Sequence, residues 1–78
     1  AEIDRGSVFQ AAVFPTAKGS LYNVRLQTPD GEFVSFGSLR SDAGGTLFTP
    51  AVRYTLTGTY FWVLERGGVS RFVAVSVS

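Results

Sequence analysis

The sequence has no cysteine and no histidine. Without cysteine no disulfide can form, and without either residue the usual zinc-ligand sets are missing. A chain of 78 residues is short enough that folding buries only about 60% of the surface the unfolded form exposes. Small domains often rely on a covalent or metal staple, so packing alone must hold this one together. Methionine is absent too and the chain opens on Ala1, which reads as a segment of a longer protein or as one whose leader has been removed. No apolar run reaches about 18 residues, so membrane insertion as a helix is not expected. No segment keeps a 3.6-residue apolar period over three turns, so no helix is expected either. Lysine occurs once, at Lys18, and seven basic residues face six acidic ones for a net charge of +1. That balance argues against a strong electrostatic attraction to nucleic acid or to an anionic membrane.

What the sequence does hold is a regular beat of turn signals: Pro15–Gly19, Pro29–Gly31, Ser41–Gly45, Pro50, Thr57–Gly58 and Gly67–Gly68. The stretches between them are short and rich in Val, Phe, Tyr and Thr, which is the pattern of an all-β sandwich or barrel. Strands are expected over about Ser7–Phe14, Leu21–Gln27, Glu32–Leu39, Thr46–Thr49, Val52–Thr57, Thr59–Arg66 and Val69–Val77, seven in all. Pro29 presets φ for a tight turn and Gly31 accepts a positive φ, so the second and third strands form a hairpin. Gly67–Gly68 is a two-residue turn that folds the last two strands on each other.

Strand side chains alternate between faces. Tyr60, Trp62 and Leu64 therefore point one way, into the core, and Phe61, Val63 and Glu65 the other. Phe72 lies on the opposite parity from Val73, Val75 and Val77, and Phe36 is placed to extend the same patch from the third strand. Phe36, Phe61, Val63 and Phe72 are thus the candidate binding residues, because clustered exposed apolar side chains mark interaction surfaces. The arginines at 25, 40, 53, 66 and 71 are interleaved with aromatics, a mixture that single-strand nucleic-acid binders also use.

Catalytic chemistry is hard to assemble here. There is no histidine base, and Asp30 and Glu32 flank a hairpin tip where no cleft is expected. Glu2, Asp4 and Asp42 are conceivable calcium ligands, but no dense acidic loop supports them. Gly44–Gly45 and Gly67–Gly68 precede no helix that could cradle a phosphate. The chain is expected to be non-catalytic, with no cofactor and no metal.

Four motifs carry a family resemblance: Val24-Arg25-Leu26, then Pro29-Asp30-Gly31, then Ser41-Asp42-Ala43-Gly44-Gly45, then Gly58-Thr59-Tyr60. Over about half the chain, Val24–Leu64, the order of these motifs resembles the immunoglobulin-like β-sandwich modules of bacterial surface and secreted proteins. Macroglobulin-like domains and the jelly-roll modules appended to secreted peptidases share parts of it. The resemblance implies an antiparallel immunoglobulin-like β-sandwich of about seven short strands, with Tyr60 sending its hydroxyl to a nearby backbone group as in a tyrosine corner. The sequence departs from antibody domains in lacking both cysteines and in carrying Trp62 on the penultimate strand. The implied role is that of a structural or interaction module (spacer, adhesion or assembly domain) in an extracellular or cell-surface protein, with a cytoplasmic setting left open. Its partners would be neighbouring domains or another protein. A carbohydrate-binding module using exposed aromatics, and a small barrel for single-stranded nucleic acid, are the alternatives.

Overall fold

Alternating strands joined by tight turns can bury one face only by packing against a second layer. The computed structural model describes all residues, Ala1–Ser78, and holds nine strands and no helix. In chain order they are β1 (Glu2–Ile3), β2 (Val8–Phe9), β3 (Ala12–Val13), β4 (Leu21–Gln27), β5 (Phe33–Arg40), β6 (Leu47–Phe48), β7 (Val52–Arg53), β8 (Gly58–Arg66) and β9 (Val69–Val77). Five of them make one sheet in the order β1-β9-β8-β4-β5. The other four pair as β2 with β7 and β3 with β6, giving a sandwich-like packing of a broad layer on a narrow one.

The two expected hairpins form. β4 and β5 pair antiparallel across the Pro29 turn, and β8 and β9 pair antiparallel from Arg66↔Val69 to Gly58↔Val77. The segment read as one first strand is interrupted between Phe9 and Ala12. There Thr49 closes the gap with its side chain: its Oγ1 accepts from the Ala11 N–H at 2.9 Å, while its own N–H donates to the Ala11 carbonyl at 2.9 Å. The strand expected over Val52–Thr57 stops at Arg53. Tyr54 N–H still reaches the Ser7 carbonyl, but beyond it the chain bends toward β8 and Leu56 becomes exposed. β1 carries too short a pattern to read from sequence; it is held by parallel pairing to the end of β9.

The core joins Val24 and Leu26 of β4, Tyr60, Trp62 and Leu64 of β8, and Val75 and Val77 of β9 to Ala11, Val13, Leu47 and Tyr54 of the narrow layer. Trp62 is fully buried (0% exposed). Its indole Nε1–H donates to the Tyr54 hydroxyl at 2.8 Å, which satisfies a donor that burial would otherwise strand. The Tyr54 and Tyr60 rings meet edge to face at 4.7 Å. The expected tyrosine contact is present: the Leu56 N–H donates to the Tyr60 hydroxyl at 3.0 Å.

Burial pushes the Tyr54 phenol above its ordinary value of 10.0, outweighing the Trp62 hydrogen bond, which favours the phenolate. A raised pKa means the folded state prefers the neutral phenol. That contribution is fully present below about pH 10 and is lost as pH climbs through the folded-state value. The melting temperature of Tyr54→Phe is therefore expected to fall less than that of the parent chain between about pH 8 and about pH 11. Equal drops in the two proteins would remove Tyr54 from the alkaline transition.

Candidate functional site

The solvent side of the five-stranded sheet is set by the register of β5, β4, β8 and β9. One row across it reads Phe33, Gln27, Phe61, Ala74, and the next reads Ser35, Arg25, Val63, Phe72. A face turned to water in an antiparallel sheet ordinarily reads polar. Here Phe72 is 59% exposed and Phe33 53% exposed, while Phe61 is half-buried. Phe61 and Phe72 meet edge to face with centroids 6.5 Å apart and planes at 79°. The Arg25 guanidinium lies over the Phe33 ring at 5.3 Å from its centroid, a cation–π contact.

Two of the candidate residues need correction. Val63 does sit on this outer face, yet it is 0% exposed. Its neighbours there are Arg25 and Phe72 directly across and Phe61 and Glu65 along its own strand, and these longer side chains cover it. Val63 is the floor of the patch and not its surface. Phe36 faces the opposite way, into the sandwich, where its ring packs on Trp62 at 5.3 Å. The register accounts for this: Leu26 pairs with Val34, so Val34 and Phe36 share the inward side of Val24 and Leu26. Phe36 and Gly37 together stand opposite Val24 as a bulge, with Gly37 at φ +70, and the alternation resumes one residue out of phase.

Phe33 is a surface residue that strand parity alone does not single out. Its signal lies in the Pro29 hairpin, which fixes the register and puts Phe33 opposite Gln27 on the wet side of β4. Phe61 and Phe72 come together as the parity indicates.

Two of the carboxylates, Asp42 and Asp30, serve turns. Asp42 Oδ1 accepts from the Gly44 and Thr46 N–H groups, each at 2.9 Å, and orders the Ser41–Gly45 loop. The Thr28 hydroxyl donates to Asp30 and holds that carboxyl below its ordinary 3.8. No three His, Cys, Asp or Glu side chains gather into a group that could hold a metal ion. The largest concavity, about 350 Å³, is an open polar groove between Asn23, Ser38, Glu65 and the Gly67–Gly68 turn. Three of the arginines anchor loops: Arg40 donates to the Gly19 carbonyl at 2.6 Å, Arg53 to the Gly6 carbonyl at 2.7 Å, and Arg71 to the Phe14 and Pro15 carbonyls. No helix is long and apolar enough to cross a membrane.

No protein-family model, curated protein or solved structure matches the chain.

Proposed function

We propose that this chain is a non-catalytic interaction module of immunoglobulin-like type that binds a protein through the outer face of its five-stranded sheet. One observation carries the reading: an apolar patch of Phe33, Phe61 and Phe72, floored by Val63, stands where a wet sheet face is expected. Aromatic residues with an arginine at the margin are the composition of protein-binding hot spots.

The strand order supports the immunoglobulin-like part. β4, β8 and β9 sit as strands C, F and G do in such modules, with β5 as an added C′ strand, and β2/β3 pair with β6/β7 as B pairs with E. The Tyr60 contact to a backbone group four residues upstream, near the start of β8, has the form of a tyrosine corner. An extracellular or cell-surface setting goes with that reading and rests on the likeness of the turn motifs.

Ring geometry favours a protein over a sugar. A flat saccharide needs open, coplanar ring faces. Here the Phe61 and Phe72 planes are nearly perpendicular, and one face of Phe33 already carries Arg25.

The test places a photo-crosslinking benzoylphenylalanine at position 72 in cells that make the protein. A discrete protein adduct is expected, and it should disappear when Phe61→Ser is added. Phe72→Ser gives up the edge-to-face contact with Phe61 and part of the cover over Val63, so it is expected to cost about 1–2 kcal/mol and leave the chain folded. Glycan-array binding that Phe72→Ser abolishes, or the absence of any adduct, would overturn the reading.

A further inference from the structure

The two edges of the five-stranded sheet differ. β1 is two residues long, whereas β5 offers eight residues, Phe33–Arg40, with no lysine or proline to blunt it. Side-chain exposure along one inward row shows how open that side is. Trp62 and Leu26 are buried, but Val34, next in the row on β5, is 45% exposed. It is the Val34 end of β5 that the narrow layer leaves uncovered, since Phe36 and Leu39 further along are half-buried against the core.

The phase of the β4–β5 ladder follows from two bonds at its ends, Thr28 N–H to the Glu32 carbonyl and Ser41 N–H to the Ser20 carbonyl. Counting by twos from each end, Val34 and Leu39 spend their backbone groups on β4. Phe33, Ser35, Ser38 and Arg40 then direct theirs to the free edge. The bulge at Phe36–Gly37 makes this strand symmetric about its middle: Phe33, Ser35, Ser38 and Arg40 share the outer face, and Val34, Phe36 and Leu39 the inner one.

We propose that two copies of the chain pair antiparallel through their β5 edges about a two-fold axis between Phe36 and Gly37, merging two five-stranded sheets into one of ten. In the register that keeps every side chain on its own face, Phe33 stands opposite Arg40 of the second copy, Val34 opposite Leu39, Ser35 opposite Ser38 and Phe36 opposite Gly37. The same register joins the free backbone groups to one another. Each opposing pair is also favourable: arginine with an aromatic ring, aliphatic with aliphatic, hydroxyl with hydroxyl, and a phenylalanine over an edge glycine. Charge adds direction. β5 leaves an acidic turn with Asp30 and Glu32, and its own one charged residue is Arg40 at the far end. Antiparallel pairing brings the Glu32 end of one copy beside Arg40 of the other, whereas an in-register parallel pairing would set Arg40 beside Arg40. This pairing does not rest on the outer-face reading: of the outer patch only Phe33 lies at the seam, while Phe61 and Phe72 stand two and three strands away.

The experiment is sedimentation of the intact chain from the low micromolar range to about 1 mM, a range wide enough for a weak strand-pairing dimer. Amide hydrogen exchange is followed over the same range. A monomer–dimer equilibrium is expected, with the amides of Phe33, Ser35, Ser38 and Arg40 slowing as dimer forms. Ser35→Pro removes an edge N–H that the monomer does not use, together with the hydroxyl that accepts from the Gly37 N–H at 3.3 Å. Val34→Lys places a charge inward on the edge. Each is expected to weaken dimerisation at least about tenfold while the dilute protein melts cooperatively, and Phe72→Ser to leave it within about twofold. If Ser35→Pro does not fold, Val34→Lys decides. A monomer at every concentration, or a dimer indifferent to the edge substitutions, overturns the proposal. So does a dimer that Phe72→Ser abolishes, which would make the outer face the self-association surface and leave its reading as a protein-binding face intact.

Discussion

Trp62→Ala is expected to remove at least about 3–5 kcal/mol, a large share of what keeps this chain folded. A domain of 78 residues at about 0.05–0.15 kcal/mol per residue has roughly 4–12 kcal/mol in hand. Truncating a fully buried tryptophan typically costs about 3–5 kcal/mol. Here the indole also supports Phe36, which packs on its face, and pairs with the Tyr54 hydroxyl. The loss should appear as a fall of more than about 12 °C in the midpoint of the thermal transition followed by circular dichroism. A variant that still melts cooperatively and loses under about 1 kcal/mol would mean that Trp62 is not the centre of this core. The hydrogen bond can be isolated from the packing. Tyr54→Phe strands the indole N–H at a cost of about 1–3 kcal/mol. Combining it with Trp62→Phe leaves no polar atom to strand, so the double variant should cost less than the sum of the singles by about 0.5–3 kcal/mol.

Gly58→Ala is expected to cost about 2–4 kcal/mol, from backbone strain and steric overlap together. Gly58 opens β8 at φ +130, a conformation that only glycine adopts without strain. A Cβ built there would lie 2.8 Å from the Pro29 Cβ, closer than two carbons can approach. At about 4–8 °C per kcal/mol for a domain of this size, the melting temperature should drop by about 10 °C or more. Adding Pro29→Gly should relieve the overlap and leave the strain. A melting point for Gly58→Ala within about 2 °C of the parent would show that this turn is held less firmly than its geometry implies.

Both sites are legible in the residue pattern itself. Tyr60, Trp62 and Leu64 form an unbroken period of two, and Gly58-Thr59-Tyr60 announces the sharp entry to β8, so core and turn can be read together. Phe36 cannot be placed by its own strand, because parity within a strand assigns two faces without saying which is inward. Only the pairing of Leu26 with Val34 ties β5 to the core side of β4. Val63 departs from expectation for a different reason. Alternation gives the side of the sheet, whereas exposure depends on the length of the neighbouring side chains, and Arg25, Phe61 and Phe72 are long enough to cover a valine. The break between β2 and β3 is hidden as well. It depends on the Thr49 hydroxyl standing in for a backbone acceptor, which an alternating pattern treats as an ordinary strand position.

The unequal width of the two layers shapes how the domain can breathe. Along the β9 flank Arg71 ties the sheet to the Phe14–Pro15 carbonyls that follow β3. The middle of β5 makes no hydrogen bond to the narrow layer. The cheapest excursion is then a gaping under the Val34–Phe36 part of β5, hinged on the Arg71 flank and on the far end of β5, where the Ser41 hydroxyl bonds the Ala17 carbonyl, with Phe36 the first ring to lift. Tryptophan emission would register that opening before any strand dissolves, because the indole beneath Phe36 would meet water while the rest of the core stays dry.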